Sequence, residues 1–170
     1  MEADFRSAVL LSHAALNDVS ELFPLILAAK CKRGRYDQII AWSKETFGEN
    51  DVLSLMLQAD HRWIYLWGEV RNAFEHPNPS YYVQVNNFRI LASREIQLPT
   101  WQMKHPRLDV FKPQNMVQSL VLHRDNILSF FENLLLVMTD KTITFPVEFI
   151  DQEEEHRDPD CPKRYGFAGS

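Results

Sequence analysis

Arg71-Asn72-Ala73-Phe74-Glu75-His76-Pro77 closes the longest apolar-periodic run of the chain, and its reading decides the fold. Upstream of it Val52, Met56, Ala59, Trp63, Leu66/Trp67, Val70 and Phe74 recur at spacings of three and four, the pattern of one buried helical face. With about 100° of turn per residue, Arg71 falls about 90° to the flank of that stripe and Glu75 about 40° from Arg71 on the same row. His76, were the helix to continue, would stand about 140° from Arg71. Pro77 changes this, because a proline disfavours the α conformation of the residue before it. The helix should therefore end at or before His76, and the imidazole can swing back toward Arg71. Arginine is a forked, permanently charged donor and histidine the side chain that titrates near neutral pH, a pair suited to phosphate chemistry. The same spacing also serves a plain helix end, with Arg71 paired to Glu75 at i,i+4 and His76 favoured by the macrodipole.

Working outward, Asn50 or Asp51 can cap this helix. Gly68 lies roughly opposite its apolar stripe, where the close approach of another helix or subunit would explain a glycine. Before it, Ala3 to Ala29 reads as helical, with a break at Pro24. His13 sits there beside apolar neighbours. A basic connector follows, in which Lys30, Lys32, Arg33 and Arg35 surround Cys31 and Gly34. It is either a solvated loop or a phosphate-steering patch, the latter giving Lys32, Arg33 and Arg35 a substrate-binding role. A short helix from Tyr36 to Phe47 stops at Gly48.

After the motif the character changes. Residues 77–113 carry Pro77, Pro79, Pro99, Pro106 and Pro113. Only Tyr81–Val85 and Ile96–Leu98 alternate, which predicts a small hairpin or flap in an otherwise loop-like insertion. Trp101 and Lys104 are read either as part of a packed surface excursion or as substrate contacts in a lid. The last strong helix runs from Gln114 to about Asp140, with Val117, Leu120/Val121, Arg124, Ile127/Leu128, Phe131, Leu134/Leu135 and Met138 on its periodic stripe. Arg124 interrupts that stripe and needs a partner if buried. The reading thus gives a domain over 1–145 and an extended, acidic, loosely held tail over 146–170.

Composition bounds the function. At 170 residues and 45% hydrophobic content the chain can build one real core. A net charge of −5 supplies no global field for nucleic acid, which argues against a general RNA-binding protein but leaves room for a local basic patch. Cys31 and Cys161 fit no metal or redox spacing and are expected as free thiols. His156, Asp158, Asp160 and Cys161 match no metal site. No phosphate loop, dinucleotide fingerprint or zinc-protease pattern occurs, so neither metal nor cofactor is expected. Neither a basic-then-apolar leader nor a membrane-length apolar run is visible, and a cytoplasmic protein is expected.

Arg71-Asn72-x-x-x-His76 at the end of a long helix resembles the HEPN family (higher eukaryote and prokaryote nucleotide-binding domains), marked by Arg, four to six residues, then His. The helix layout extends the resemblance over about Met1 to Lys141. It implies an all-α bundle of four to five helices, usually a homodimer. Its active members are metal-independent endoribonucleases, often of toxin or antiphage type, while others bind a nucleotide or a protein partner without catalysis. Carried over, Arg71 and His76 are the catalytic pair and Asn72 the polar residue beside them. Single-stranded RNA is the implied substrate, and a regulatory or antitoxin protein a further partner. One toxin subset continues as His-x-Tyr; this chain has Asn78 at that position. The dimer interface is expected at or beside the Gly68 side of the Val52–Glu75 helix.

Overall fold

The computed structural model describes residues 1–108, 112–143, 147–151 and 165–169, with Glu153, Glu155 and Arg157. Helix α1 spans Glu2–Ser20 and α2 Leu22–Leu27. The break expected at Pro24 falls three residues earlier, at Glu21, because the proline offers no N–H to the carbonyl of Ser20 and its ring crowds that carbonyl. Helix α3 (Tyr36–Phe47) ends at Gly48, whose φ of 103° turns the chain out of the helix. Helix α4 (Val52–Glu75) starts at Asp51, whose carboxylate accepts the Leu53 N–H at 2.9 Å. Lys141, at the far end of α5 (Met116–Thr142), donates to the same carboxylate at 2.8 Å. The start of α4 is thereby tied to the end of α5.

The all-α expectation is overturned: the fold is mixed α/β. Strands β1 (Tyr82–Asn86), β4 (Thr100–Lys104) and β5 (Gln114–Asn115) form an antiparallel sheet in the order β1-β4-β5. Val83 stands opposite Met103 and Val85 opposite Trp101. Strands β2 (Arg89–Ile90) and β3 (Ile96–Gln97) make a separate small ribbon. The stretch expected to be an insertion is therefore a wall of the core. In β4 the inward residues Trp101 and Met103 are 3% and 0% exposed, and they pack with Phe5, Val9, Trp67, Val70 and Met116. The rings of Phe5 and Trp67 lie 5.5 and 5.6 Å from that of Trp101. In the extended tail, β6 (Val147–Asp151) pairs antiparallel with β7 (Tyr165–Gly169). His156, Asp158, Asp160 and Cys161 lie outside the described residues.

Helix α4 runs through two cores, and this changes its buried face. Its first half packs Leu53, Leu57 and Ile64 with Ile39 of α3 and Phe130, Leu134 and Met138 of α5. Its second half packs Trp67, Val70 and Ala73 with the sheet. The expected stripe holds from Trp63 onward, whereas Val52 is 64% exposed and Leu53 takes its place. On α5 the expected stripe holds at Leu134 and Met138, but Met116, His123 and Phe130 face inward in place of Val117, Arg124 and Phe131. Arg124 is exposed and pairs with Asp125 at 2.7 Å. Among the described residues no helix is long and apolar enough to cross a membrane.

Candidate functional site

His76 closes α4 with φ −129° and ψ 54°, outside the helical region, as the following Pro77 requires. Its N–H still donates to the Asn72 carbonyl at 2.8 Å, so the imidazole stays at the helix end. Five residues earlier, Arg71 forms an ion pair with Glu75 and donates to the Asn72 amide oxygen at 3.1 Å. Both partners of that pair keep nearly a third of their side-chain surface.

Three concavities meet along this part of α4. The central one, of about 560 Å³, is bounded by Tyr65, Gly68 and Asn72 of α4, His13 and Asn17 of α1, and the start of α3 at Arg35 and Asp37. On one side a concavity of about 630 Å³ shares Tyr65, Glu69 and Asn72 with it and adds His76, His105 and Arg107. On the other side one of about 410 Å³ shares His13 and Asn17 and adds Arg33, Arg71 and Glu75. None of the three contains both Arg71 and His76; the two motif residues flank the central concavity, and Asn72 stands between them. Burial, and after it the charge of Arg71, pushes the His13 imidazole below its ordinary pKa, while Glu75 works the other way.

One face of α4 supplies the lining. His61, Tyr65, Gly68 and Asn72 are spaced by four, three and four, which sets them in one row along the helix. A Cβ built on Gly68 would meet no atom within 4 Å. Among the described residues no other helix approaches there, which leaves another subunit as the remaining expected reason for a mid-helix glycine, which costs on the order of 1 kcal/mol relative to alanine.

Glu69, beside that row, is the best-connected side chain of the site. Its carboxylate accepts from His105 Nε2 at 2.8 Å, from the Tyr81 hydroxyl at 3.1 Å and from Asn72 Nδ2 at 3.4 Å. His105 Nδ1 accepts the backbone N–H groups of Arg107 and Leu108 at 3.0 and 2.9 Å. That arrangement fixes the tautomer with its proton on Nε2. The Tyr81 hydroxyl also reaches the Glu69 carbonyl at 2.7 Å, and burial, with the Glu69 charge second, pushes its pKa up. This cluster clamps the sheet to α4 and holds Glu69 still. Sequence reasoning missed it, though Trp101, Met103 and His105 alternate in a way that would have turned His105 inward.

The expected substrate-binding residues are dispersed. Arg33 is engaged by Asp18 and by Glu21, the latter at 3.2 Å. Arg35 pairs with Asp37 through contacts of 2.9 and 2.6 Å at the rim of the central concavity. Gly34, at φ 72°, presses the connector onto α1: a Cβ there would lie 2.5 Å from the Asn17 amide oxygen, and its N–H donates to Ser20 Oγ at 2.7 Å. The basic connector is thus a pinned, largely charge-balanced turn in which Lys32 is exposed. Trp101 is buried in the core with no face open to a base. Lys104 donates to the Pro79 carbonyl at 3.0 Å on the outer side of the sheet. Cys31 is partly buried, which pushes its thiol pKa up. Among the described residues no three His, Cys, Asp or Glu side chains are grouped as metal ligands would be.

No protein-family model, curated protein or solved structure matches the chain.

Proposed function

We propose that the chain is a HEPN-like, metal-independent endoribonuclease of toxin or antiphage type, acting as a cytoplasmic homodimer on single-stranded RNA. The observation that carries this reading is the placement of the motif: Arg71 and His76 stand on either side of one concavity, joined by Asn72. A strand lying across α4 would meet both. His76 would take the proton of a ribose 2′-hydroxyl as its oxygen attacks the adjacent phosphorus, and would return a proton to the departing 5′-oxygen. Arg71 would neutralise the charge that builds on the phosphate, exchanging Glu75 for it. A partly exposed i,i+4 ion pair is worth only about 0.5 kcal/mol, so the exchange is inexpensive. Asn72 would hydrogen-bond the strand.

A second copy fits better on α5 than on the polar row of α4. Val117, Val121, Leu128, Phe131 and Leu135 are all exposed. With Arg124 they follow the alternating four-three spacing of a coiled-coil seam. A specific observation favours a second reading, a catalytically inactive HEPN-like dimer that binds a nucleotide or protein partner. Arg71 is held by both Glu75 and Asn72 and shares none of the three concavities with His76.

The test is cleavage of single-stranded RNA in a chelator by wild type, His76→Ala and Arg71→Ala, with folding checked by circular dichroism. Products ending in a 2′,3′-cyclic phosphate are expected from wild type. His76→Ala should lose roughly 10²–10⁴-fold in rate, and Arg71→Ala about 10²–10³-fold by analogy with a lost oxyanion donor. Equal cleavage by folded wild type and His76→Ala would leave the motif a structural helix end.

A further inference from the structure

We infer that the central concavity is a nucleobase subsite, in which one base of the bound strand slides over Gly68 and stacks on Tyr65. The inference rests on the RNA reading above and adds the position of one base to it. Gly68 is the first ground. Apart from α4's own nearby backbone and the two flanking residues, no described residue comes within 4 Å of where its Cβ would be, so packing among the described residues does not account for a glycine there. It sits in the middle of a 24-residue helix, where other residues are preferred. The space left beside it can admit a group from another molecule.

The lining identifies that visitor. Tyr65, one turn before Gly68, is 42% exposed, and the His61 ring lies 6.2 Å from it at a tilt of 33°. These rings give a flat face at one end of the slot. The Asn17 and Asn72 amides stand at its edges, and Leu16 and Ile64 lie at its floor. The charged groups of the lining already have partners: Arg35 is paired with Asp37, and the Glu69 carboxylate is hydrogen-bonded by the neutral His105 and Tyr81. An aromatic face bordered by neutral amides suits an uncharged heteroaromatic ring better than a phosphate. A volume of about 560 Å³ lies within the range of small-molecule pockets. The charged side chains Arg35, Asp37 and Glu69 in the lining argue against a second copy of the chain, since the centres of protein interfaces are depleted in charge. From a base in this slot the strand would leave past Asn72 toward His76 on one side and past His13 toward Arg71 on the other, both motif residues reaching the backbone that flanks one nucleotide.

The experiment is fluorescence anisotropy of a labelled 2′-O-methyl RNA strand, which lacks the nucleophile and cannot be cut, with wild type, Tyr65→Ala, Tyr65→Phe and Gly68→Leu. Light scattering and circular dichroism on each protein report assembly and folding. Tyr65→Ala is expected to weaken binding about 5- to 150-fold, the usual worth of one base stack. Tyr65→Phe should keep the affinity, because the ring is retained. Gly68→Leu should weaken binding at least as much as Tyr65→Ala while remaining folded and assembled as wild type. If wild type binds and Tyr65→Ala and Gly68→Leu bind equally well, the subsite is wrong and the RNA reading stands. If Gly68→Leu dissociates the assembly, the slot is a protein interface and the inference is overturned. If wild type binds no strand at all, the RNA reading falls and the subsite with it.

Discussion

His123 offers a test of the core that is read through pH. It lies on α5 at 3% exposure, stacked on Trp67 with ring centroids 3.9 Å apart. Ser12 donates its hydroxyl to the Val9 carbonyl at 3.0 Å, so its oxygen is left to accept from His123 Nε2 at 2.9 Å. The other ring nitrogen, Nδ1, is buried with no partner among the described residues. Protonating it would place a charged N–H where nothing accepts it. Burial accordingly lowers the pKa of His123 from 6.5 to about 4. The sign follows from which state binds the proton. Between pH 6.5 and 4 the unfolded chain takes it up and the folded chain does not, so stability falls as pH falls through that window and this contribution is flat outside it. A shift of that size corresponds to about 3 kcal/mol. Stacking of an imidazolium on Trp67 would return at most about 2 kcal/mol. A loss of roughly 1–3 kcal/mol is therefore expected between pH 7 and pH 4.

Other groups titrate in the same range, so the measurement is a difference. Urea unfolding of wild type and His123→Gln at pH 7 and at pH 4 isolates the histidine, because the glutamine can still donate to Ser12 but does not titrate. Wild type should be the more stable at pH 7, and its advantage should shrink by roughly 1–3 kcal/mol at pH 4. An advantage unchanged within about 0.5 kcal/mol would refute the buried, neutral His123.

Two other predictions concern the ends of α4 and the open face of α5. Asp51→Ala removes both the cap on Leu53 and the ion pair with Lys141, whereas Asp51→Asn keeps the cap; the alanine variant should be less stable than the asparagine variant by about 1 kcal/mol in urea melts, and equal stability would deny the cap its role. Leu128→Asp, at a position 55% exposed in the protomer, should leave folding intact and turn a dimer into a monomer in light scattering; an unchanged dimer would remove α5 from the interface.

How far the sequence could be read depends on how local each signal is. The end of α4 was legible because everything that makes it is contiguous: Trp67, Val70 and Phe74 turned to the core, Arg71 paired to Glu75 by helix spacing, and Pro77 forcing His76 out of the helix. On α5 the period was visible but its phase was not. Leu120/Val121, Ile127/Leu128 and Leu134/Leu135 put apolar residues on two adjacent faces, and only tertiary packing selects the one carrying His123, Phe130 and Leu134. The alternation of Tyr81–Val85 showed β1, but its partner β4 was hidden by Pro99 and Pro106, which bracket Trp101-x-Met103-x-His105 and made a buried strand resemble a loop. The Glu69 cluster joins residues 12 and 36 positions apart, and no local spacing announces such a contact.

These two kinds of signal meet on α4 and explain why its motif has to be read together with the opposite side of the helix. The inward face must satisfy two cores that ask for different orientations, with Leu53, Leu57 and Ile64 turned to one and Trp67, Val70 and Ala73 to the other. That demand fixes the rotation of the helix and leaves no freedom in where its outer row points. His61, Tyr65, Gly68 and Asn72 are therefore carried as a rigid set. At about 1.5 Å per residue the row from His61 to Asn72 spans about 16 Å. The Glu69 cluster then fixes the sheet against its far end, so that His76 emerges beside Asn72. A helix end serving only as a helix end would need Arg71, Glu75 and Pro77 but would gain nothing from a glycine two-thirds of the way along a row that lines a concavity. A binding row would, and Gly68 is the residue on which the two accounts part.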